Sequence, residues 1–208
     1  DCLMIKKVAL FDFDNTVASG NTITRLLQYD IRKHPWHCIF LIQMAFYYGL
    51  YLIHLSSFEK AKSALLFPVR YMSDQEFEDF YHQHVEIYYY PQVVAEMQSK
   101  KDEGYVVILC TASSEVYMKY NQLPIDQLIG TRTRRIGNHE TSEIIGKNCK
   151  GKEKINRIKE YLKNQDIEID YENSYGYSDS NDDIPMLSLV KHKKRVLLKT
   201  GEMIEFKE

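Results

Sequence analysis

Two carboxylates stand one residue apart at the end of an apolar run: Val8-Ala9-Leu10-Phe11 leads into Asp12-Phe13-Asp14-Asn15-Thr16. Residues two apart on an extended strand share a face. The spacing therefore predicts two like charges crowded at one strand end. Such charges shift each other's pKa unless something positive sits between them. A hard cation takes oxygen ligands, so the chemistry this pair suggests is divalent-ion binding. The plainer alternative for this segment alone is a solvated strand end with helix-capping Asp and Asn.

Two further polar clusters follow apolar runs. Tyr105 to Cys110 is followed by Thr111-Ala112-Ser113-Ser114, and Tyr175-Gly176-Tyr177 by Ser178-Asp179-Ser180-Asn181-Asp182-Asp183. Strands that are apolar throughout and polar only at one end describe a site, because open parallel α/β sheets bind ligands beyond the carboxyl ends of their strands. The chain lacks a GxGxxG or GxxxxGK[ST] phosphate loop and a GxSxG elbow. Its seven histidines fall mostly between residues 34 and 84, which argues against a His-based triad. His34 with His37, and His82 with His84, lack cysteine or carboxylate support at a ligand spacing and read as ordinary histidines. What remains is a carboxylate-rich site for Mg²⁺, an ion held by one or two carboxylates, waters and substrate phosphate. An aspartate nucleophile attacking a phosphate dianion needs its charge offset by a metal and a lysine.

The elements that must position these groups alternate. Residues 5–11 read as a first buried strand, and 21–33 as a helix with apolar positions Ile23, Leu26, Leu27 and Ile31. Residues 38–55 are apolar or aromatic except for Gln43, Gly49 and His54. This run reaches the lower limit of a membrane span, but its interruptions favour one or two buried helices broken at Gly49. Ser57 opens a helix that Pro68 stops. Ser73 with Glu76 forms a capping-box pattern for 73–88, and residues 92–104 read as a helix closed by Gly104. Then follow the strand 105–110, a helix over 115–122, short strands and turns over 127–148, a basic helix from Cys149, the strand 175–177 and a last strand from Arg195 to Leu198. The alternation predicts an α/β fold: a Rossmann-like, three-layer parallel sheet core with an all-helical insertion.

At 208 residues the chain suits one domain with an insertion or two small domains. Hydrophobic residues at 44% and charged residues at 27% fit a globular protein. A net charge of −2 gives no electrostatic case for nucleic-acid binding. Cys2, Cys38, Cys110 and Cys149 form no CxxC pair, and Cys38 and Cys110 sit in apolar runs where free cysteine acts as a small buried hydrophobe. This points to a reducing compartment, read here as the cytoplasm. The N-terminal residues enter a strand directly, with no signal peptide expected.

Taken in order, Asp12-Phe-Asp14-Asn-Thr16, the strand VVILCTAS and the cluster YSDSNDDIPML resemble the motifs of the haloacid dehalogenase-like superfamily of phosphohydrolases over essentially the whole chain. Within it the chain is similar to the phosphoserine phosphatase branch. That resemblance implies a core of residues 1–19 and 92–208 and a helical cap of residues 20–91. It implies Asp12 as nucleophile, Asp14 as general acid and then base, and Mg²⁺ held by Asp12, the Asp14 carbonyl and Asp179. Asp183 would orient water or lysine, with Asp182 the weaker candidate. Thr111 would hold phosphoryl oxygens with Ala112, unless it is only a helix N-cap. Thr16, Ser113, Asn21 and Lys150 would face substrate. Lys150, Lys152 and Lys154 all compete for the conserved-motif lysine of the family, and the register of Ile158 and Leu162 favours Lys154.

The family's phosphoserine enzymes place a glutamate near position 21 and an arginine in the cap. Here position 21 is Asn, and no arginine lies between Lys33 and Pro68. A neutral Asn cannot pair an ammonium, and lysine lacks the arginine fork. The expected substrate is therefore a small phosphorylated metabolite other than phosphoserine, with phosphoserine and a phospholipid headgroup as alternatives. Membrane contact by residues 38–55 and a monomer or homodimer stay open. A phosphate-accepting receiver-like module is the non-enzymatic alternative; Asp14 and the helical insertion weigh against it.

Overall fold

The computed structural model describes residues 3–207. Strand β1 (Met4–Lys6) precedes β2 (Val8–Phe11), whose four side chains are all buried. A strand covered on both faces reads as an unbroken apolar run, and Val8–Phe11 is that run. The single strand expected over 5–11 is two: the chain breaks at Lys7, and β1 leaves the main sheet to pair with β6 (Ile167–Ile169).

Five helices follow before the next strand. Helix α1 (Thr22–Lys33) is capped by Asn21, whose side chain accepts from the Ile23 amide. Helices α2 (Ile39–Leu52) and α3 (Phe58–Leu65) come next, the latter capped by Ser57. Helix α4 (Asp74–His84) has the expected capping box, Ser73 and Glu76 each bonding the other's backbone amide. Helix α5 (Pro91–Asp102) starts on a proline and is followed by Gly104 in the left-handed region, φ +82°.

Strand β3 (Val106–Ser114) runs straight into the short helix α6 (Glu115–Met118), and β4 (Gln127–Ile136) forms a long hairpin with β5 (His139–Ile145). Helix α7 (Lys152–Asn164), strand β7 (Tyr175–Ser178), helix α8 (Ile184–Leu187) and strands β8 (His192–Val196) and β9 (Met203–Glu205) complete the chain. Among the described residues the main sheet has seven strands, ordered β5-β4-β3-β2-β7-β8-β9. Its centre is parallel; the β4–β5 and β8–β9 pairs at its two margins are antiparallel. The fold is α/β with a Rossmann-like parallel core, as the alternation predicts. The last long strand starts at His192 rather than Arg195, because it pairs with β7 from Tyr175 onward.

Two buried clusters cover the faces of this sheet. One joins Phe11, Leu109 and Tyr177 to Leu26, Leu66, Phe77 and Phe80 from the helical insertion. The other sets Val8, Leu10, Ile108 and Cys110 against Ile158, Leu162, Met186 and Leu187. The insertion thus shares the core of the sheet through α1 and α4.

Helix α2 does not. It has no buried residue, and the run is neither broken at Gly49 nor buried as expected. A helix apolar on every face is ordinarily covered all round; here no described element covers the outer side of α2. Ile42 is 71% exposed and Phe46 61%. Cys38, just before it, is exposed for the same reason, against expectation, whereas Cys110 and Cys149 are buried. Cys38, Cys110 and Cys149 are free thiols; Cys2 lies outside the described residues. No described helix is long and apolar enough to cross a membrane.

Candidate active site

The register of the central strands brings three chain segments level. Phe11 pairs with Leu109 on one side and Tyr177 on the other. Asp12, Cys110 and Ser178 therefore begin the carboxyl ends of β2, β3 and β7 side by side. The Asp12 amide still reaches the Tyr177 carbonyl at 3.1 Å.

Asp14 arrives by a different route from the strand alternation expected. Strand β2 stops at Phe11, and the Phe13 carbonyl accepts the amides of Thr16, Val17 and Ala18 in a tight turn. Asn15 takes φ +59°, and its side chain accepts from the Gly20 amide. This turn, not the pleat, carries Asp14 back to the site. There Asp14 Oδ1 accepts the Thr22 amide at 2.8 Å and the Thr22 hydroxyl, and Oδ2 accepts the Ser113 hydroxyl at 2.8 Å.

The three candidate lysines separate cleanly. Gly151, at φ +57°, turns the chain into α7, a conformation that disfavours any residue with a Cβ. One turn later Lys154 is buried with Ile158 and Leu162 on the same helix face. Its Nζ lies 2.8 Å from Asp12 Oδ1 and 2.8 Å from Asp183 Oδ1. Lys152 points to solvent, and Lys150 forms a 3.0 Å exposed ion pair with Asp182. Asp183 is buried, and its Oδ2 accepts the Ser178 hydroxyl at 2.7 Å.

The other expected site residues are present with more local duties. Thr16 donates to Asp179 Oδ1 at 3.3 Å and accepts the Asp179 amide at 3.1 Å, so its hydroxyl holds the acidic loop. Thr111 is buried, and its hydroxyl accepts the Ser113 amide at 3.0 Å within the turn where β3 slips register against β4. Asn21 caps α1 and also borders the cleft above Asp14. The Ala112 carbonyl is taken by Lys62 and by the Thr131 hydroxyl.

Lys62 is the residue that spacing failed to single out. It reaches from α3 to the Ala112 carbonyl and the Asn148 side chain, and Asn148 is held in turn by Thr131 and Glu59. Burial pushes the Lys62 ammonium down to about 8, against the pull of Asp14. In sequence Lys62 is one of two lysines in SFEKAKSALL, and nothing local distinguishes it from Lys60. Two of the paired histidines do have carboxylate partners: His37 is buried against Asp30 at 2.7 Å, and His82 pairs with Glu86.

Asp12 and Asp183 thus flank one buried ammonium at the sheet's end, with Asp14 near Asp12 and Asp179 near Lys154. Burial raises the Asp12 carboxyl to about 8; Lys154 opposes the rise, and Asp183 and Asp14 add to it. Burial also raises Asp179. This excess of negative charge fits a hard cation. Among the described residues no three His, Cys, Asp or Glu side chains form a ready cage. An ion here would take two carboxylates and fill its remaining positions with carbonyl, water or substrate oxygen, a set Mg²⁺ accepts.

A parallel α/β sheet with acidic groups and a buried lysine at its carboxyl edge is a site suited to phosphate and a hard cation. The model of the haloacid dehalogenase-like hydrolases matches residues 9–188, and the chain belongs to that family. A structure from Bordetella pertussis Tohama I, a protein of unknown function, superposes with a TM-score of 0.77 at 20% identity. It covers 91% of this chain and 89% of its own. A phospho-aspartyl intermediate analogue of phosphoserine phosphatase gives 0.62 at 17% identity over 91% and 86%. A substrate-bound phosphoserine phosphatase complex gives 0.62 at 17% identity over 91% and 85%. No curated protein sequence matches the chain.

Proposed function

We propose that the chain is a Mg²⁺-dependent phosphomonoester hydrolase working through an aspartyl-phosphate on Asp12, with residues 20–91 serving as a cap over a core of residues 1–19 and 92–208. The observation that carries this reading is Lys154 Nζ set 2.8 Å from both Asp12 and Asp183 while Asp14 is held separately by Thr22 and Ser113. Two carboxylates in different environments suit two roles. Asp12 Oδ attacks phosphorus, and the bond from phosphorus to the leaving oxygen breaks as Asp14 gives that oxygen its proton. Asp14 then takes a proton from water, which attacks the same phosphorus, freeing phosphate and restoring the Asp12 carboxylate. Lys154 offsets the charge of Asp12 and the phosphoryl oxygens. Thr111 and the Ala112 amide, near the end of β3, would receive those oxygens. Asp12, Asp179 and the Asp14 carbonyl would hold Mg²⁺, which would supply further charge neutralisation.

Hydrolysis of p-nitrophenyl phosphate with Mg²⁺ and with EDTA tests this directly. Turnover that requires Mg²⁺ is expected; equal rates in both would overturn the metal's role. Free phosphoserine is expected to be a poor substrate. Asn21 is spent on α1, and the described charged residues lining the cleft are Asp14, Lys62 and Lys150, with no arginine to fork the carboxylate. Phosphoserine turnover with a KM in the low micromolar range would contradict this.

The carboxylate excess also sets a pH dependence. A raised Asp pKa means that the folded chain binds a proton that the unfolded chain has released. The stability this proton contributes is complete below the ordinary value near 4 and is lost as pH rises through about 8. Without metal, the melting temperature is therefore expected to fall between pH 5 and pH 8. Added Mg²⁺ should raise it more at pH 8, where it no longer displaces the proton. Differential scanning fluorimetry with EDTA and with Mg²⁺ measures both; a larger Mg²⁺ gain at pH 5 would refute the assignment.

A further inference from the structure

The cleft above Asp14 has a volume of about 690 Å³, within the range of small-ligand sites. Its polar end is tied down: Asp14 to Ser113, Lys62 to Ala112 and Asn148, Lys150 to Asp182. The rest of the wall is hydrocarbon and aromatic. Met44, Tyr48 and Leu52 line it from one side of α2, and Phe58 and Leu65 from α3. These α2 residues lie four apart, on one helical face. At its N-terminal end α2 packs through Phe40 on Phe67 and Tyr71; none of its residues is fully buried.

We infer that this cleft receives the leaving group of an amphiphile: a phosphate monoester whose phosphate meets Asp12 and whose hydrocarbon chain lies between α2 and α3. The inference rests on the hydrolase reading and names its substrate class. A zwitterionic metabolite gives no reason for such a wall, because burying its charges against hydrocarbon without partners is unfavourable. An alkyl or acyl chain does, because each buried methylene favours binding by about 0.8 kcal/mol, about fourfold. Lys62 stands where the polar linker between phosphate and chain would pass, one half-buried cation between the carboxylate site and the apolar wall. The outward side of α2 exposes Ile39, Ile42 and Phe46, so a chain could be taken from a bilayer or from solution. The chemistry of the chain is the same for both sources.

The test has two independent readouts. The first is kcat/KM for monoalkyl phosphates from ethyl to octyl, kept below their aggregation limits. The second is calorimetric affinity for the matching alkylphosphonates, which cannot be hydrolysed at phosphorus. Both are expected to rise at least tenfold from ethyl to octyl. Values flat within threefold in both series overturn the inference. Rising phosphonate affinity without turnover of any monoester would instead defeat the hydrolase reading and leave the amphiphile site standing. Gly49→Phe fills the cleft from within α2, where a Cβ meets nothing within 4 Å. Removing a mid-helix glycine favours the helix, so a folding defect is not expected. The octyl-to-ethyl ratio should collapse toward one in this variant; an unchanged ratio places the chain elsewhere and refutes the cleft. Phosphatidic acid in phosphatidylcholine vesicles, run beside octyl phosphate, identifies the source. Vesicle turnover points to a bilayer-borne amphiphile, and turnover of octyl phosphate alone to a dispersed one.

Discussion

Asp12→Asn is expected to lower Mg²⁺-dependent turnover of p-nitrophenyl phosphate by at least about 10³-fold while leaving the fold intact. The amide has the carboxylate's shape but neither its charge nor its nucleophilicity, so the phosphoryl group has no acceptor. Stability should hold or rise. The wild-type carboxylate is buried beside Asp183 and Asp14, and burial already drives its pKa to about 8. Removing that charge relieves the crowding, and Lys154 keeps Asp183 as a partner. A lower rate with an unchanged or higher melting temperature separates loss of chemistry from loss of structure. Trapping with beryllofluoride and Mg²⁺ adds a second readout: the wild type should form the acyl-phosphate mimic and the variant should not. Turnover within tenfold of wild type would move the nucleophile away from Asp12.

The three strand-end clusters were legible because a parallel strand buried on both faces is an uninterrupted apolar word, and the word stops where the sheet does. Lys154 was legible for a related reason. It shares a helix face with Ile158 and Leu162, and that face packs against the sheet. The route by which Asp14 reaches Thr22 and Ser113 was not legible. Alternation assumed that the strand continues, whereas the Phe13 carbonyl gathers three amides and folds the chain back. That the Thr16 and Ser113 hydroxyls hold Asp179 and Asp14 was not legible, because hydroxyl partners depend on neighbours distant in sequence. Helix α2 was misjudged because a helix apolar on every face carries no direction. Its composition suits a core, a cleft wall or a free surface equally, and only the absence of a covering element decides. Lys62 and Asn148 were invisible for the same reason as Thr16: their meeting depends on α3 docking beside the loop before α7.

Lys154→Ala is expected to be the most destabilising single change at the site, by about 3–5 kcal/mol, the cost of leaving buried charge without its partner. Burial alone would neutralise this lysine. Asp12 and Asp183 instead hold its ammonium above the ordinary lysine value. A raised lysine pKa contributes stability that is complete below the ordinary value near 10.5, so the whole contribution is present at neutral pH. A loss of this size is about a fifth or more of a typical domain's stability. Urea unfolding measures it, and Asp183→Asn supplies the cycle. With the aspartate's charge removed, the further cost of Lys154→Ala should shrink by more than about 1 kcal/mol, because the two share one contact. Strictly additive losses would mean that the 2.8 Å pair carries no coupling. Mg²⁺ gives the sharper discrimination. A divalent ion beside Asp12 replaces some of the missing positive charge, so it should recover part of the lost stability. It should not recover turnover, expected to be down about 10²- to 10³-fold, because the ammonium also stabilises charge that develops only as the phosphoryl group is transferred. Recovery of both together would reduce Lys154 to a structural counter-ion; recovery of stability alone assigns it to the reaction as well as to the fold.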